Sequence, residues 1–71
     1  MSDRLKMAVI GAGRLGRFHA QKLAQAKNVQ LVAVVDPMAS SRERVAAECH
    51  CQAMPDLEGL FGHVDGAVIA S

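Results

Sequence analysis

Three glycines near the amino terminus restrict what this chain can fold into more than any other feature of its sequence. Gly11, Gly13 and Gly16 form a G-x-G-x-x-G turn that follows the apolar run 7–10 and precedes a segment with helical periodicity. In such a turn the first glycine lets the backbone leave a strand tightly. The second lets the backbone approach phosphates closely, and the third lets the helix pack near the sheet. The turn therefore predicts a place for a dinucleotide pyrophosphate.

Apolar runs alternate with amphipathic segments along the rest of the chain. The runs show little polar alternation, which favours strands of a parallel sheet at 5–10, 29–35, 51–54 and 67–70. Apolar side chains at three- and four-residue spacing predict a first helix over 14–26, whose buried face is expected to carry Gly16, Ala20, Leu23 and Ala24.

A second helix is predicted after the second strand. Ser40 or Ser41 is expected to cap its first turn, and the helical pattern continues to about Glu48. The spacing of Ser40 and Glu43 fits a capping box. The candidates for the core of this helix are Val45, Ala46 and Ala47.

The segment between the third and fourth strands contains one more helix signal. Asp56 has the position of a cap for one or two helical turns, which would stop near Gly62 and carry Leu57, Leu60 and Phe61. The pair Asp65-Gly66 then predicts a turn into the fourth strand.

Alternating strands and helices predict an α/β fold with a parallel sheet and right-handed crossovers. The expected strand order is 3-2-1-4, that of the N-terminal portion of a Rossmann dinucleotide-binding domain. Since that fold has about six strands and four are predicted here, we expect residues 1–71 to be the N-terminal part of such a domain. The rest of the domain and a substrate domain are expected to lie outside this chain.

The net charge and the short uncharged stretches of the chain argue against nucleic acid and membranes as partners. A net charge of +1 over 71 residues provides no bulk field that would attract nucleic acid or an anionic membrane. The uncharged stretch 7–13 near the amino terminus is too short for a membrane span and has no cleavage signal after it, so we expect a cytoplasmic protein. The glycine turn nevertheless lies in a basic half of the chain, with Arg14 inside the turn itself. An anionic ligand is favoured there, although Arg14 could equally be a solvent-exposed loop arginine.

The candidate cofactor site combines the turn with an acidic residue. The free backbone N–H groups of Arg14, Leu15 and Gly16 are expected to point towards the pyrophosphate from the positive end of the helix dipole. Asp36 ends the second strand, twenty residues after Gly16, where an acid accepts hydrogen bonds from the adenosine ribose. Its charge would repel a 2′-phosphate, which favours NAD over NADP.

Two alternatives stay open at Asp36. The pair Asp36-Pro37 could form a turn that binds no ligand. The cofactor could also be NADP, because Ser40, Ser41 and Arg42 follow closely in the sequence.

The remaining candidate residues favour structural roles. His19 lies one turn after Gly16 and is expected to be a packed, hydrogen-bonded histidine rather than a catalyst. The cluster Cys49-His50-Cys51, with His63 downstream, matches no usual zinc spacing, so we expect no metal site and thiols that are buried or idle.

Several segments together resemble a known family. The string AVIGAGRLGRFH at 8–19 is similar to the amino terminus of the glucose-fructose oxidoreductase and inositol dehydrogenase family (Gfo/Idh/MocA type), whose glycine motif is commonly extended by a histidine three residues on, here His19. The segments 31–37, 56–58 and 64–71 agree as well, so the resemblance spans nearly the whole chain.

The resemblance implies an NAD(P)-dependent oxidoreductase of about two domains. Such enzymes move a hydride between the nicotinamide and a carbinol or carbonyl carbon, usually of a sugar, polyol or related compound. The resemblance places Ser71 near the ribose and nicotinamide as a last cofactor contact. The family's catalytic lysine, in a Glu-Lys-Pro motif, would lie after Ser71, so no catalytic residue is assigned here. We expect the full-length protein to be a homo-oligomer.

Three other functions remain open, because a fold alone does not decide a reaction. The protein could be another NAD-dependent dehydrogenase, of the amino-acid or semialdehyde type. It could be a non-catalytic NAD-sensing module. It could also be a structural oligomer that binds no nucleotide.

Overall fold

The computed structural model describes residues 4–60 and 62–70, in which the four strands and the first two helices follow the predicted order. The elements are β1 (Leu5–Ile10), α1 (Arg14–Gln25), β2 (Val29–Val35), α2 (Ala39–Cys49), β3 (Gln52–Met54) and β4 (Gly66–Ile69). Helix α1 has 12 residues and α2 has 11. Within these two ranges, no helix is long and apolar enough to cross a membrane.

The four strands form one parallel sheet in the order β3-β2-β1-β4, which confirms the predicted fold class. The register places Ile10 opposite both Val35 and Ile69, and Val35 opposite Met54. The carboxyl ends of all four strands therefore meet at one edge of the sheet. The loop after β1 and the residues after β2 lie side by side at this edge, which is where ligands bind in open α/β sheets.

Apolar side chains form a cluster on each face of the sheet. The cluster under α1 and α2 consists of Val9, Ala12, Ala20, Leu31, Val34, Val45 and Cys49. The cluster on the opposite face consists of Ala8, Ala33, Val35 and Leu60. The carboxyl-terminal halves of β1 and β2 are thus buried on both faces, as their apolar runs predicted.

Two alanines predicted to be buried are exposed. In α1, Leu23 rather than Ala24 packs against the core under the helices. In α2, the buried row ends at Cys49, four residues after Val45, whereas Ala47 points away because it is only two residues from Val45.

Helix α2 does not begin with the predicted serine cap. Its N-cap residue is Met38, without a side-chain cap, and Ser40 lies inside the first turn, so the capping box with Glu43 is also wrong. The Oδ1 atom of Asp36 instead accepts a hydrogen bond from the Met38 N–H at 2.8 Å. This side-chain turn directs the chain from β2 into the helix and takes the place of a serine cap.

The predicted helix after Asp56 is a series of turns. The Oδ1 atom of Asp56 accepts a hydrogen bond from the Glu58 N–H at 3.0 Å, and the Leu60 N–H bonds the Leu57 carbonyl at 3.0 Å. Phe61, which was assigned to this helix, lies outside the described residues. The segment has few residues before the turn at Gly62, where φ is +87°. Too few further hydrogen bonds can therefore form to offset the unfavourable free energy of nucleating a helix.

Candidate functional site

The glycine turn lies at the carboxyl end of β1, and its conformation requires two of the three glycines. Gly11 has a φ of +105°, and a Cβ there would overlap the carbonyl oxygen of Ala70. A Cβ on Gly16 would overlap the carbonyl oxygen of Gly11. The turn is also held by the Gly11 N–H, which donates to the Val35 carbonyl at 2.7 Å. The protein's own backbone therefore excludes side chains at these two positions.

Gly13 differs from the other two glycines. Its backbone has φ −75° and ψ −162°, an extended conformation that any residue adopts. Nothing in the described structure lies within 4 Å of the position that a Cβ would occupy. The structure thus leaves an open space on this side of the turn, which a side chain would fill.

The start of α1, next to Gly13, has unpaired backbone donors. Helix α1 begins at Arg14, and the first N–H that bonds back to the turn is that of Arg17, which donates to the Gly13 carbonyl at 2.8 Å. The N–H groups of Arg14, Leu15 and Gly16 precede it and have no intrahelical acceptor. The side chains of Arg14 and Leu15 are exposed. The start of α1 therefore offers hydrogen-bond donors and the positive end of a helix dipole to an anion.

Asp36 is in direct contact with the glycine turn. Its Oδ2 atom accepts a hydrogen bond from the Ala12 N–H at 2.7 Å, while Oδ1 accepts one from the Met38 N–H at 2.8 Å. These two bonds, the first above all, lower the pKa of the carboxyl, and the nearby Arg42 guanidinium lowers it further. Asp36 is therefore ionised at neutral pH and lies beside the open side of the turn. Ser71, the other predicted contact, lies outside the described residues.

A cavity of about 240 Å³ adjoins the turn, between the start of α1 and the first half of α2. Its polar lining consists of Arg14, Arg17, Ser41 and Arg44, and Ala12, Gly13 and Val45 complete the wall. The sequence interpretation did not identify Arg44 as part of this site. The three-residue spacing of Ser41 and Arg44 places both on one face of α2, and that spacing is the signal that could have revealed it.

An ion pair joins the two helices beside this cavity. The Nε and Nη2 atoms of Arg17 donate to the two carboxylate oxygens of Glu48 at 2.8 and 2.9 Å. The hydrogen bond from Arg17 lowers the pKa of Glu48, and the same bond raises the pKa of Arg17. Although the Arg17 side chain is 49% exposed, its two parallel bonds define its direction and hold α1 against α2.

The other candidate side chains have ordinary surroundings. His19 is half-buried, and its ring meets Phe18 edge-on with 5.7 Å between the ring centroids. Cys49 and Cys51 are free thiols. Burial raises the pKa of Cys51 to about 11 and also raises that of Cys49. Over 4–60 and 62–70, no three His, Cys, Asp or Glu side chains are grouped closely enough to hold a metal ion.

Comparison with known proteins identifies relatives of this chain. It is 43% identical over 67 residues to the UDP-N-acetylglucosamine 3-dehydrogenase of Acidithiobacillus ferrooxidans, a match that covers 94% of this chain and 21% of the relative. A solved structure of that protein superposes with a TM-score of 0.86 over 96% of this chain and 22% of the other. The rhizopine catabolism protein MocA of Rhizobium meliloti is 35% identical, over 96% of this chain and 22% of the relative.

A second solved structure has the same arrangement. It is a myo-inositol dehydrogenase from Corynebacterium glutamicum, with a TM-score of 0.86 and 33% identity over 96% of this chain and 21% of that one. The chain thus spans about a fifth of the length of the relatives it matches. Residues 5–71 match the Gfo/Idh/MocA family, described as an oxidoreductase family with an NAD-binding Rossmann fold. From the strand order, the glycine turn and these matches, we conclude that the chain belongs to the Gfo/Idh/MocA oxidoreductase family.

Proposed function

We propose that this chain is the dinucleotide-binding part of an NAD(P)-dependent oxidoreductase that acts on a sugar, a polyol or a related alcohol or carbonyl compound. The open side of Gly13 carries the proposal. The backbone there would accept any residue, and a Cβ would meet nothing within 4 Å, so the fold itself does not require glycine. Close approach of a pyrophosphate to the backbone is a physical reason for a glycine at this position.

Each proposed contact uses a group that the site presents. The N–H groups of Arg14, Leu15 and Gly16 donate to pyrophosphate oxygens, and the Arg14 guanidinium adds a charged donor at the mouth of the cavity. Each Asp36 carboxylate oxygen accepts one backbone N–H and keeps a lone pair for a ribose hydroxyl. Ser71 is proposed as a further contact on the basis of the family resemblance alone.

These contacts give the residues of this chain the role of binding the cofactor within the complete protein. A bound nicotinamide supplies the hydride donor or acceptor of the reaction. The residues of this chain bind and orient the pyrophosphate and the adenosine ribose, and we assign no catalytic residue among them. We propose that residues 1–71 form the N-terminal part of the Rossmann domain. The rest of that domain and a separate substrate domain would lie elsewhere in the protein, which we propose to be a homo-oligomer.

The proposed substrate class rests on the relatives. The curated relative at 43% identity is a UDP-N-acetylglucosamine 3-dehydrogenase, and a structural neighbour at 33% identity is a myo-inositol dehydrogenase. Both names describe oxidation of a compound that carries several hydroxyl groups. We therefore propose that a secondary hydroxyl of a sugar or polyol is the site of oxidation.

The experiment that tests this function is a calorimetric titration of the complete protein with NAD, for the wild type and Gly13→Val. The wild type is expected to bind NAD. The valine side chain fills the space open for the pyrophosphate, so the variant is expected to lose binding while its circular dichroism spectrum stays that of the wild type. Undiminished NAD affinity in a folded Gly13→Val variant would contradict the placement of the phosphates.

Catalysis is tested separately, by following reduction of NAD in the presence of UDP-N-acetylglucosamine, myo-inositol and other polyols. Reduction with at least one of these compounds is expected. NAD binding without oxidation of any of them would favour a non-catalytic NAD-sensing module.

A further inference from the structure

The side of α1 that faces away from α2 carries an exposed aromatic residue. The Arg17 guanidinium points towards α2, where Glu48 binds it. Successive residues of a helix are about 100° apart, so His19, two positions after Arg17, lies on the opposite side of α1. Phe18 and Lys22, four residues apart, form a ridge beside His19. We call Phe18, His19 and Lys22 the outer surface of α1.

The outer surface of α1 combines an apolar ring with polar groups that remain accessible. Phe18 is 52% exposed, and the Lys22 ammonium lies 5.4 Å from the centroid of its ring. Within 4–60 and 62–70, the ring nitrogens of the half-buried His19 have no hydrogen-bond partner. No polar side-chain atom in these two ranges is both sealed from solvent and unpaired, so the His19 nitrogens can be reached from outside. A covering segment would therefore meet both apolar and hydrogen-bonding groups here.

The topology of the sheet leaves this surface open. The connections that run from β1 towards β3 place α1 and α2 on one face. The connection that returns from β3 to β4 runs on the other face, where Leu60 packs in the second apolar cluster. These two connections thus have the same hand, and a connection from β4 to a strand on its far side would also cross the second face. The side of α1 towards β4, with the half-buried Val68 below it, is therefore open to a segment that is not a crossover helix of the sheet.

The size of the outer surface of α1 favours a tethered occupant over a second copy of the protein. A buried aromatic side chain covers roughly 150–250 Å², so the exposed part of Phe18 and its neighbours offer on the order of 200 Å². A stable interface between separate proteins buries about 800 Å² on each partner. A segment of the same polypeptide needs less area, because tethering gives it an effective concentration in the millimolar range. The match covers only 21–22% of the relatives, so a substrate domain of similar length would be large enough to supply such a segment.

The charges around the outer surface of α1 indicate the chemistry of this segment. All six charged side chains from Arg4 to Lys27 are basic, and the next acid in the sequence is Asp36. In the described part of the chain Glu48 pairs with Arg17, whereas Lys22 is paired with no carboxylate. A segment with an apolar side chain opposite Phe18 and a carboxylate opposite Lys22 therefore complements the surface.

We propose that the outer surface of α1 is the docking surface for an apolar and acidic segment of the substrate domain. Phe18 is the apolar anchor, and Lys22 and His19 make the polar contacts at its edge. The contact holds the substrate domain beside the first turn of α1, where the proposed pyrophosphate donors lie. The inference rests on the two-domain organisation given under the proposed function and does not depend on cofactor binding.

The test is photo-cross-linking of the complete protein with p-benzoylphenylalanine in place of Phe18, which keeps an aromatic ring at the anchor position. The expected product is a cross-link within one polypeptide, to a peptide from outside residues 1–71. The matched control carries the same amino acid in place of Ala24. This alanine is exposed and lies seven residues after Arg17, on the side of α1 that faces α2. The yield at position 24 is expected to be at least about tenfold lower, because tethered docking multiplies contact at position 18 alone.

The charge of the occupant is tested by adding Lys22→Glu to the protein that carries the cross-linker at position 18. This change places two carboxylates against each other and is expected to lower the cross-link yield by about fivefold or more. An unchanged yield would overturn the acidic character assigned to the segment.

The effect on the reaction is measured with Phe18→Glu, after circular dichroism has shown that the variant is folded. Loosened docking misplaces the substrate domain relative to the cofactor, so kcat/KM is expected to fall by at least about tenfold. The Kd of NAD should stay within about threefold of the wild type, since no proposed NAD contact is removed. Ala24→Glu adds the same charge on the other side of the helix and should leave both quantities within about twofold.

The outcomes separate this inference from the function that accompanies it. A cross-link between two polypeptides would identify a second copy as the occupant and would overturn the proposal. Equal yields at positions 18 and 24, or an unchanged kcat/KM in Phe18→Glu, would show that the surface is open and would overturn it as well. NAD binding without the expected cross-link refutes the docking surface alone. The expected cross-link in a protein that binds no NAD refutes the dinucleotide function alone.

Discussion

Replacing Gly16 by alanine should destabilise the protein, although the same change in an exposed helix is stabilising. A Cβ at this position would overlap the carbonyl oxygen of Gly11 and would lie 2.6 Å from its carbonyl carbon. Ordinary contact begins at 3.4 Å, so the carbonyl carbon alone would have to move by about 0.8 Å, and the oxygen, which is closer, by more. The obstacle is backbone, which cannot rotate away as a side chain could.

Two opposing terms set the size of the effect. Alanine favours a helix interior over glycine by about 1 kcal/mol. Overpacking a close contact costs roughly 1–3 kcal/mol, and the upper end applies where backbone meets a Cβ attached to backbone. The expected net effect of Gly16→Ala is therefore a loss of about 2 kcal/mol in the free energy of unfolding.

The assay is chemical denaturation of the complete protein, followed by circular dichroism, with Gly13→Ala as the matched control. A Cβ at Gly13 meets nothing within 4 Å and its φ is −75°, so this variant should unfold within about 0.5 kcal/mol of the wild type. Gly13→Ala should nevertheless weaken NAD binding, because its methyl group enters the open side of the turn. A Gly16→Ala variant as stable as the wild type, or two variants with equal stability, would refute this account of the glycines.

Three further predictions concern charge and thiol chemistry. The pKa of Asp36 is lowered in the folded protein, so the stability that its hydrogen bonds contribute is complete above the ordinary pKa of about 3.9 and is lost as the pH falls through the lower, folded value. Asp36→Asn should therefore lose less stability than the wild type when denaturation is repeated at decreasing pH below about 4; an identical pH dependence would contradict the role of this carboxylate. Cys51, with a pKa of about 11, should be alkylated by iodoacetamide at pH 8 roughly a hundredfold more slowly in the folded protein than after denaturation, as measured by mass spectrometry; equal rates would show that the thiol is not buried. Arg17→Lys and Glu48→Gln should each lower the denaturation midpoint, and the double variant should lose less than the sum, with a coupling that decreases as salt is added; strict additivity would mean that the ion pair contributes nothing.

Local signals in the sequence account for most of the predicted fold. The apolar run that ends at Gly11 defines the end of β1, and the proline after Asp36 ends β2, so both strands were predicted with the bounds found in the structure. The alternation of strands and helices then leaves few topologies, and the order 3-2-1-4 is the one observed.

The errors in helix position occur where a polar side chain had more than one possible partner. Ser40 has the residue type and the position expected of a helix cap. However, the Asp36 carboxylate accepts a hydrogen bond from the Met38 N–H, and the turn into α2 therefore begins before Ser40. Asp56 does bond a backbone N–H two residues on, yet the turns that follow it do not extend into a helix. The predicted acceptor role is confirmed for Asp56 but not for Ser40, and in both cases the competing local geometry decided which structure forms.

By itself, the sequence determined the Rossmann topology, the glycine turn and the presence of an acid at the end of β2, because each depends on residues close together in the chain. Only the tertiary structure decided that Gly11 and Gly16 are required by backbone contacts while Gly13 faces open space. It also decided that Asp36 bonds the turn through Ala12, and that Arg44 of α2 comes to the same cavity as Arg14 of α1. Apart from the contact between Gly16 and Gly11, these contacts join residues more than twenty positions apart. The packing of α1, α2 and the loops against one edge of the sheet brings them together.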